Sequence, residues 1–286
     1  MYELNKLHQG VSYEKYAAQE GLRASDLKIL KRSAAHWKAA QAEERDSTEA
    51  LEFGKIFHAI VENGEKFLET YVVEPVFTGK TKDGKDSTRS AAAKEAKEAW
   101  YSELKPGAIV VKEAWVPMLT GMSKALKSHR LVGNLVKDGV RETSLWVKDP
   151  STGITLKCRP DFISAHGVLV DFKTTRNAHP EEFFWDIFGT RGYFYSMQLA
   201  HYSHCLKVAG ISDGMSATIV AIEKEAPYGI MVYPLDIGNL GPGEQWREHL
   251  TQLYAKCLET GNWPGYPEAA HPLLTPEHIK LPGDES

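Results

Sequence analysis

The chain has 286 residues, of which 42% are hydrophobic and 25% charged, a balance that suits a soluble globular protein able to bury a full core. Its net charge of −4 gives no overall basic signature of a nucleic-acid binder, although local patches outweigh the sum. No apolar run reaches the roughly 18 residues of a membrane span, residues 1–10 lack the apolar core of a signal peptide, and Cys158, Cys205 and Cys257 are too scattered for a zinc or disulfide framework, so a cytoplasmic protein with no membrane partner is expected.

Residues 24–42 read as a helix with Ser25 as N-cap and Leu27, Leu30, Ala34 and Trp37 on one stripe. Residues 49–63 read as a second helix that buries Leu51, Ile56, Phe57, Ile60 and Val61. The segment "GKTKDGKDSTRS" (79–90) is polar and lysine-rich, an exposed loop that serves either solubility or contact with a polyanion. Helical patterns follow at 90–104 and 113–136. The period then changes to strands at 142–149 and, after the turn "PSTG", from Ile154 to Ile163. An aromatic-rich helical region (180–208), strands at 216–224 and 228–236, and a helix at about 243–260 complete the pattern. The proline-rich tail, 267–286, reads as irregular. The order suggests a single α/β domain with a mixed central sheet flanked by helices and a helical N-terminal portion.

The stretch "KCRPDFISAHGVLVDFKTT" (157–175) departs from an ordinary hairpin. A three-residue turn with Gly167 in the left-handed position sets Ser164 opposite Val168. Counting outward then places Asp161 opposite Asp171 and Arg159 opposite Lys173. Opposed side chains lie roughly 4.5–5.5 Å apart at Cβ, so two facing carboxylates repel unless something positive lies between them. A divalent cation held by carboxylates answers that need, and Lys173 beside Asp171 could assist phosphodiester hydrolysis. An ion-pair ladder, with Arg159 and Lys173 neutralising the acids, answers it equally well. The helices that must cover a sheet face argue that the acids lie in a cleft.

These residues resemble the PD-(D/E)XK nuclease superfamily, with Pro160-Asp161 as "PD" and Asp171-Phe172-Lys173 as "(D/E)XK". Gly54, His58 and Glu62 resemble the G-x3-H-x3-E helix of its RecB-like branch, and Gln198 with Tyr202 resemble the Q-x3-Y helix. Thr174 and Thr175 after the lysine are also usual there. Within that branch the chain is most similar to exonucleases of the exonuclease VIII (RecE) type, through "SDLK" near residue 25 and "WPGY" at 263–266. The likeness runs from about residue 20 to 266. It implies a restriction-endonuclease-like core, with His58, Asp161, Asp171 and the Phe172 carbonyl as ligands of Mg²⁺ or Mn²⁺ and Lys173 as catalytic lysine. It also implies 5′ to 3′ digestion of one strand from double-stranded DNA ends, a ring-shaped trimer or tetramer, a single-strand annealing protein as partner, and a bacterial or phage-infected host cell.

His58 and Glu62 share a helix face, as do Gln198 and Tyr202, although a histidine among apolar residues also suits core packing. Glu142, placed at the start of the 142–149 strand, is a candidate outer-shell acid. Seven aromatics between Phe183 and Tyr195 suit core packing or stacking on unpaired bases. Lys80, Lys82, Lys85, Arg176 and Arg191 are candidate DNA contacts. An endonuclease or repair nuclease on the same scaffold, and a non-cutting DNA-binding protein, stand as alternatives. An iron–sulfur relative would need four clustered cysteines, and no G-x-S-x-G motif supports a serine hydrolase.

Overall fold

The computed structural model describes residues 2–42, 48–63, 71–105, 108–189, 193–214 and 216–269; the side chains of residues 62 and 63 lie outside that set. Helix α1 (Tyr13–Ala18) precedes α2 (Ala24–Arg32) and α3 (Ala34–Ala40). The single helix expected over 24–42 is therefore broken, because Ser33 is extended and its hydroxyl caps α3 by accepting the His36 N–H. Ser25 is not the N-cap of α2. Arg23 holds that position, and the Asp26 carboxylate accepts its backbone N–H at 2.9 Å and its guanidinium Nε–H at 3.0 Å. Leu27, Leu30 and Ala34 are buried as expected.

Helix α4 (Glu49–Asn63) keeps its expected bounds but turns a slightly different face inward. Phe53, Ile56, Phe57 and Ile60 are buried, at i, i+3, i+4 and i+7, while Leu51 lies off that stripe and is exposed. Strands β1 (Tyr71–Glu74) and β4 (Ile109–Lys112), which periodicity did not suggest, form a parallel pair. Between them, β2 (Gly79–Lys80) and β3 (Asp86–Ser87) make a small hairpin inside the lysine-rich segment, followed by α5 (Ala91–Ser102). A 3₁₀ turn (Glu113–Trp115) leads to α6 (Val116–Ser128) and α7 (Arg130–Leu135), divided at His129, whose Nδ1 caps α7 by accepting the Val132 N–H.

Strands β5 (Gly139–Arg141), β6 (Leu145–Lys148), β7 (Thr155–Cys158), β8 (Phe162–Ser164) and β9 (Leu169–Thr175) follow. Helices α8 (Pro180–Phe188) and α9 (Tyr195–Val208) carry the chain to β10 (Ala217–Glu223), β11 (Ile230–Leu235) and α10 (Ile237–Thr260). The central sheet is mixed, in the order β11-β10-β9-β8-β5, with β9 and β10 parallel and its other pairs antiparallel. Parallel neighbours need a crossover, which α8 and α9 supply. Helix α10 starts six residues before the expected position because Asp236 caps it through the Asn239 N–H, carrying the helix through Pro242.

Both sheet faces are covered. Leu169, Ile219 and Ala221 join a core with α2, α9 and α10, while Val170, Phe172, Val220 and Ile222 join another with α4 and α6. At the first core α9 and α10 approach backbone to backbone: a Cβ on Gly243 would lie 2.4 Å from the Ser196 carbonyl carbon. The strand expected from 154 to 163 is split at Pro160, which has no N–H to offer a ladder. Strands β6 and β7 form a separate hairpin. The N-terminal segment straps this hairpin: Leu22 exchanges backbone hydrogen bonds with Thr155 and Lys157, and the buried Lys157 ammonium donates to the carbonyls of Tyr16, Ala17 and Gln19 at the end of α1. Among the described residues, no helix is long and apolar enough to cross a membrane.

Candidate active site

The β8–β9 hairpin has the register that its turn chemistry suggests. Gly167 is left-handed at φ 76°, Ser164 N–H donates to the Val168 carbonyl, and Phe162 pairs with Val170. That register places Asp161 across from Asp171, but the ladder ends at Phe162. In place of the next ladder bond, Asp161 Oδ2 accepts the Phe172 N–H at 2.7 Å. The fragment after Pro160 thus ties its carboxylate to the residue between Asp171 and Lys173.

Arg159 does not oppose Lys173. With the strand broken at Pro160 its guanidinium turns away, donating to Glu142 Oε2 at 2.8 Å, Ser144 Oγ at 3.0 Å and the Val11 carbonyl at 2.6 Å. Glu142 itself is not in a strand. It links β5 to β6 in a left-handed conformation, φ 43°, and its N–H donates to the Asp161 carbonyl. A non-glycine residue in that region costs free energy unless its surroundings hold it there. Here the chain leaves the central sheet at Arg141, and the kink turns Glu142 toward Asp161.

Helix α4 delivers His58, whose Nδ1 lies 3.5 Å from Asp161 Oδ2. His58, Glu142 and Asp161 each offer a ligand atom, and the three atoms lie within 4.8 Å of one another. Asp171, expected among the ligands, has other partners. Its Oδ2 lies 2.5 Å from Lys173 Nζ without the alignment of a hydrogen bond, and its Oδ1 accepts from Gln198 Nε2 at 3.2 Å. Gln198 also donates to the Tyr202 hydroxyl at 3.3 Å and accepts from Lys28 Nζ at 3.2 Å. Lys173 Nζ lies 5.0 Å from the centre of the Tyr195 ring.

The electrostatics of the two halves differ. Burial and then Asp171 push the Asp161 carboxyl up to about 7, against the pull of Lys173, the Phe172 N–H and Arg159. Burial and Asp161 also raise Glu142, opposed by its bond to Arg159. Burial and the nearby Lys173 charge lower His58, which favours the neutral imidazole that binds metals. Crowded carboxylates that resist ionising, beside a neutral histidine, make a donor set that fits a divalent cation such as Mg²⁺ or Mn²⁺. A cation there would favour the charged form of both carboxylates.

The remaining expected residues divide. Thr174 and Thr175 are half-buried, and Thr175 Oγ1 bonds the backbone of Asn177 at the exit from β9. Lys80 pairs with Asp86 at 3.0 Å across the β2–β3 hairpin; Lys82, Lys85 and Arg176 are exposed. Arg191 and the Glu62 side chain lie outside the described residues. Of the seven aromatics, Phe183, Phe194 and Tyr195 are core, whereas Phe184 and Tyr193 are about half exposed. Lys28, which entered only through "SDLK", and Tyr195, one of the seven aromatics, were not foreseen beside Lys173 and Gln198. Their signal is a lysine next to the buried stripe of α2, between Leu27 and Leu30, where a charged group is retained only with a partner.

The chain is similar to known proteins in family and fold. A family model described as a PDDEXK-like domain of unknown function (DUF3799) matches residues 24–273. No curated protein matches the chain. A solved structure from Eubacterium rectale, named as a candidate exonuclease, aligns over 89% of this chain and 88% of its own, with a TM-score of 0.50 and 15% identity, a likeness of fold. A phage related exonuclease from Haemophilus somnus 129PT aligns over 84% of this chain and 97% of its own at 12% identity, with a TM-score of 0.32. With 250 of its residues inside the family model, this chain belongs to the PDDEXK-like family DUF3799.

Proposed function

We propose that the protein is a metal-dependent exodeoxyribonuclease that hydrolyses phosphodiester bonds of linear duplex DNA, 5′ to 3′, leaving 3′ overhangs for recombination. The observation that carries the nuclease reading is the meeting of His58, Glu142 and Asp161 beside a lysine held by Asp171. Digestion from ends, its polarity, a ring-shaped trimer or tetramer and a single-strand annealing partner rest on the resemblance of "SDLK" and "WPGY". In this fold "WPGY" meets the segment that follows "SDLK": Ala35 N–H donates to the Pro264 carbonyl, and Arg32 Nε–H donates to the Tyr266 hydroxyl.

In this reading His58, Glu142 and Asp161 would hold Mg²⁺ or Mn²⁺, which would supply Lewis-acid stabilisation of charge on the phosphate. Lys173 brings positive charge to the same phosphate, and Asp171 with the Tyr195 ring fixes where that charge sits. Gln198 holds Asp171, and Lys28 holds the Gln198 amide so that its NH₂ faces the carboxylate. Arg159 draws Glu142 back toward its charged form, against burial and Asp161, and holds its carboxylate beside Asp161.

The test is digestion of linear duplex labelled at the 5′ or the 3′ end, with and without Mg²⁺, beside closed circular DNA. Metal-dependent release of the 5′ label, sparing circles and lost in Lys173→Ala and Asp171→Asn, is the expected result. Cleaved circles would replace the exonuclease with an endonuclease. Tight DNA binding with no cleavage under any metal would leave a fold retained for holding DNA.

A further inference from the structure

Beside the catalytic centre, two lysines of α2 lie over aromatic rings. Lys28 Nζ is 5.5 Å from the Tyr195 ring centre, the same ring that lies 5.0 Å from Lys173. One turn along the helix, Lys31 Nζ is 5.3 Å from the Phe194 ring and 4.9 Å from that of Trp246 on α10. Residues three apart share a helix face, so the two ammonium groups continue in one direction from Lys173. Among the described residues, neither group forms an ion pair: Lys28, which burial and Lys173 lower to about 8 against the pull of Asp171, meets Tyr195 and the Gln198 amide, and Lys31 meets Phe194 and Trp246. A cation on a ring keeps most of its charge available to an incoming anion, whereas one in an ion pair does not. Lys80, paired with Asp86, illustrates the second case.

The rings have an open side. Tyr193 stacks on Tyr195 with centroids 5.5 Å apart and planes 25° apart, and Tyr193 is 51% exposed. Trp246 is 40% exposed. Phe194, which joins them, is buried and left-handed at φ 49°, a conformation that sends Tyr193 outward while Tyr195 begins α9. Positive charge alternating with aromatic faces that are open on one side is what a single strand of nucleic acid requires, since every base has a stacking face and every link a phosphate.

We infer that Lys28, Lys31, Tyr193, Tyr195 and Trp246 form a track for unpaired DNA leading from the catalytic centre, the lysines holding phosphates and the exposed rings stacking bases. This rests on the nuclease reading for its purpose but not for its detection. The track would hold a frayed or displaced strand while its neighbour meets Lys173.

The experiment measures binding of fluorescein-labelled oligothymidylate by anisotropy, in EDTA and over a range of salt. It compares the wild-type chain with Lys31→Ala, Tyr193→Ala, Tyr193→Phe and Trp246→Ala, each checked by thermal melting. Loss of one stacking ring should weaken binding by roughly 5- to 150-fold; Tyr193→Phe should bind as wild type, and Lys31→Ala should lower the salt slope by about 0.7. Should Tyr193→Ala melt early, Trp246→Ala and Lys31→Ala carry the comparison. No binding by the wild type, or unchanged binding by the folded alanine variants, overturns the track. Metal-dependent digestion of duplex by the same wild-type preparation separates the two ideas. Binding that depends on these residues without digestion removes the nuclease and leaves the track; digestion with indifferent variants removes the track and leaves the nuclease.

Discussion

Lys173 Nζ lies 2.5 Å from Asp171 Oδ2, with the two residues on one face of β9 and both largely buried. Removing one partner of such a pair strands the other charge, at a cost of about 3–5 kcal/mol, whereas removing both costs little. Lys173→Met should therefore destabilise the fold by about 3 kcal/mol, and Asp171→Asn/Lys173→Met should recover most of that. Activity should fall at least about 100-fold in both. Denaturant unfolding with parallel DNA digestion checks the pair. A double variant no more stable than Lys173→Met would show that the pair is not what holds these groups.

Asp161 gives the metal-free protein a pH dependence of definite sign. Its carboxyl titrates at about 7 in the fold, above its ordinary value of 3.8. The folded state then binds the proton more tightly than the unfolded chain. The resulting stability is complete below about pH 4 and is lost as pH rises through about 7, an effect on the order of a few kcal/mol. Chelated protein should thus melt progressively lower from pH 5 to pH 8, and Asp161→Asn should flatten that decline. Adding Mg²⁺ or Mn²⁺ at pH 8 should raise the melting temperature of the wild type but not of Asp161→Asn. Equal metal stabilisation of both would remove Asp161 from the ligand set.

Arg159 acts through Glu142. The 2.8 Å bond from its Nε–H opposes the burial that favours the neutral Glu142 acid. Without it Glu142 should ionise less readily and turn less reliably toward Asp161. Partners of metal ligands typically contribute 10- to 100-fold in metal affinity. Arg159→Met should therefore raise the Mg²⁺ concentration for half-maximal digestion by about that factor, while the rate at saturating metal stays near wild type. A lowered maximal rate at an unchanged metal requirement would refute the positioning role.

The hairpin was legible because its two signals are local: a glycine that accepts positive φ and a side-chain period of two. They set the 162–170 register and brought Asp161 near Asp171. Arg159 was misplaced because counting assumes a continuous strand, and Pro160 ends it. Glu142 was recognised as an acid of interest but not as a partner of His58, since its approach depends on a left-handed kink between two sheets that no periodicity records. The lysine-rich segment drew attention as a DNA contact through composition alone. Lys28 and Lys31 are lysines too, but an amphipathic helix conceals them until α9 and α10 supply the rings.

Gly54 stands one turn before His58 on the same face of α4, and a Cβ built there meets nothing within 4 Å. Packing therefore does not explain a glycine in a helix interior, where it costs about 1 kcal/mol relative to alanine. The position makes sense if clearance beside His58 is used by a substrate backbone. Gly54→Ala should then stabilise the protein by about 1 kcal/mol, raising its melting temperature by about 2 °C, while weakening duplex binding and slowing digestion. Thermal melting and duplex affinity on the same sample check both halves. A variant that gains stability and binds DNA as tightly as the wild type would show that the space beside His58 is not a path for DNA.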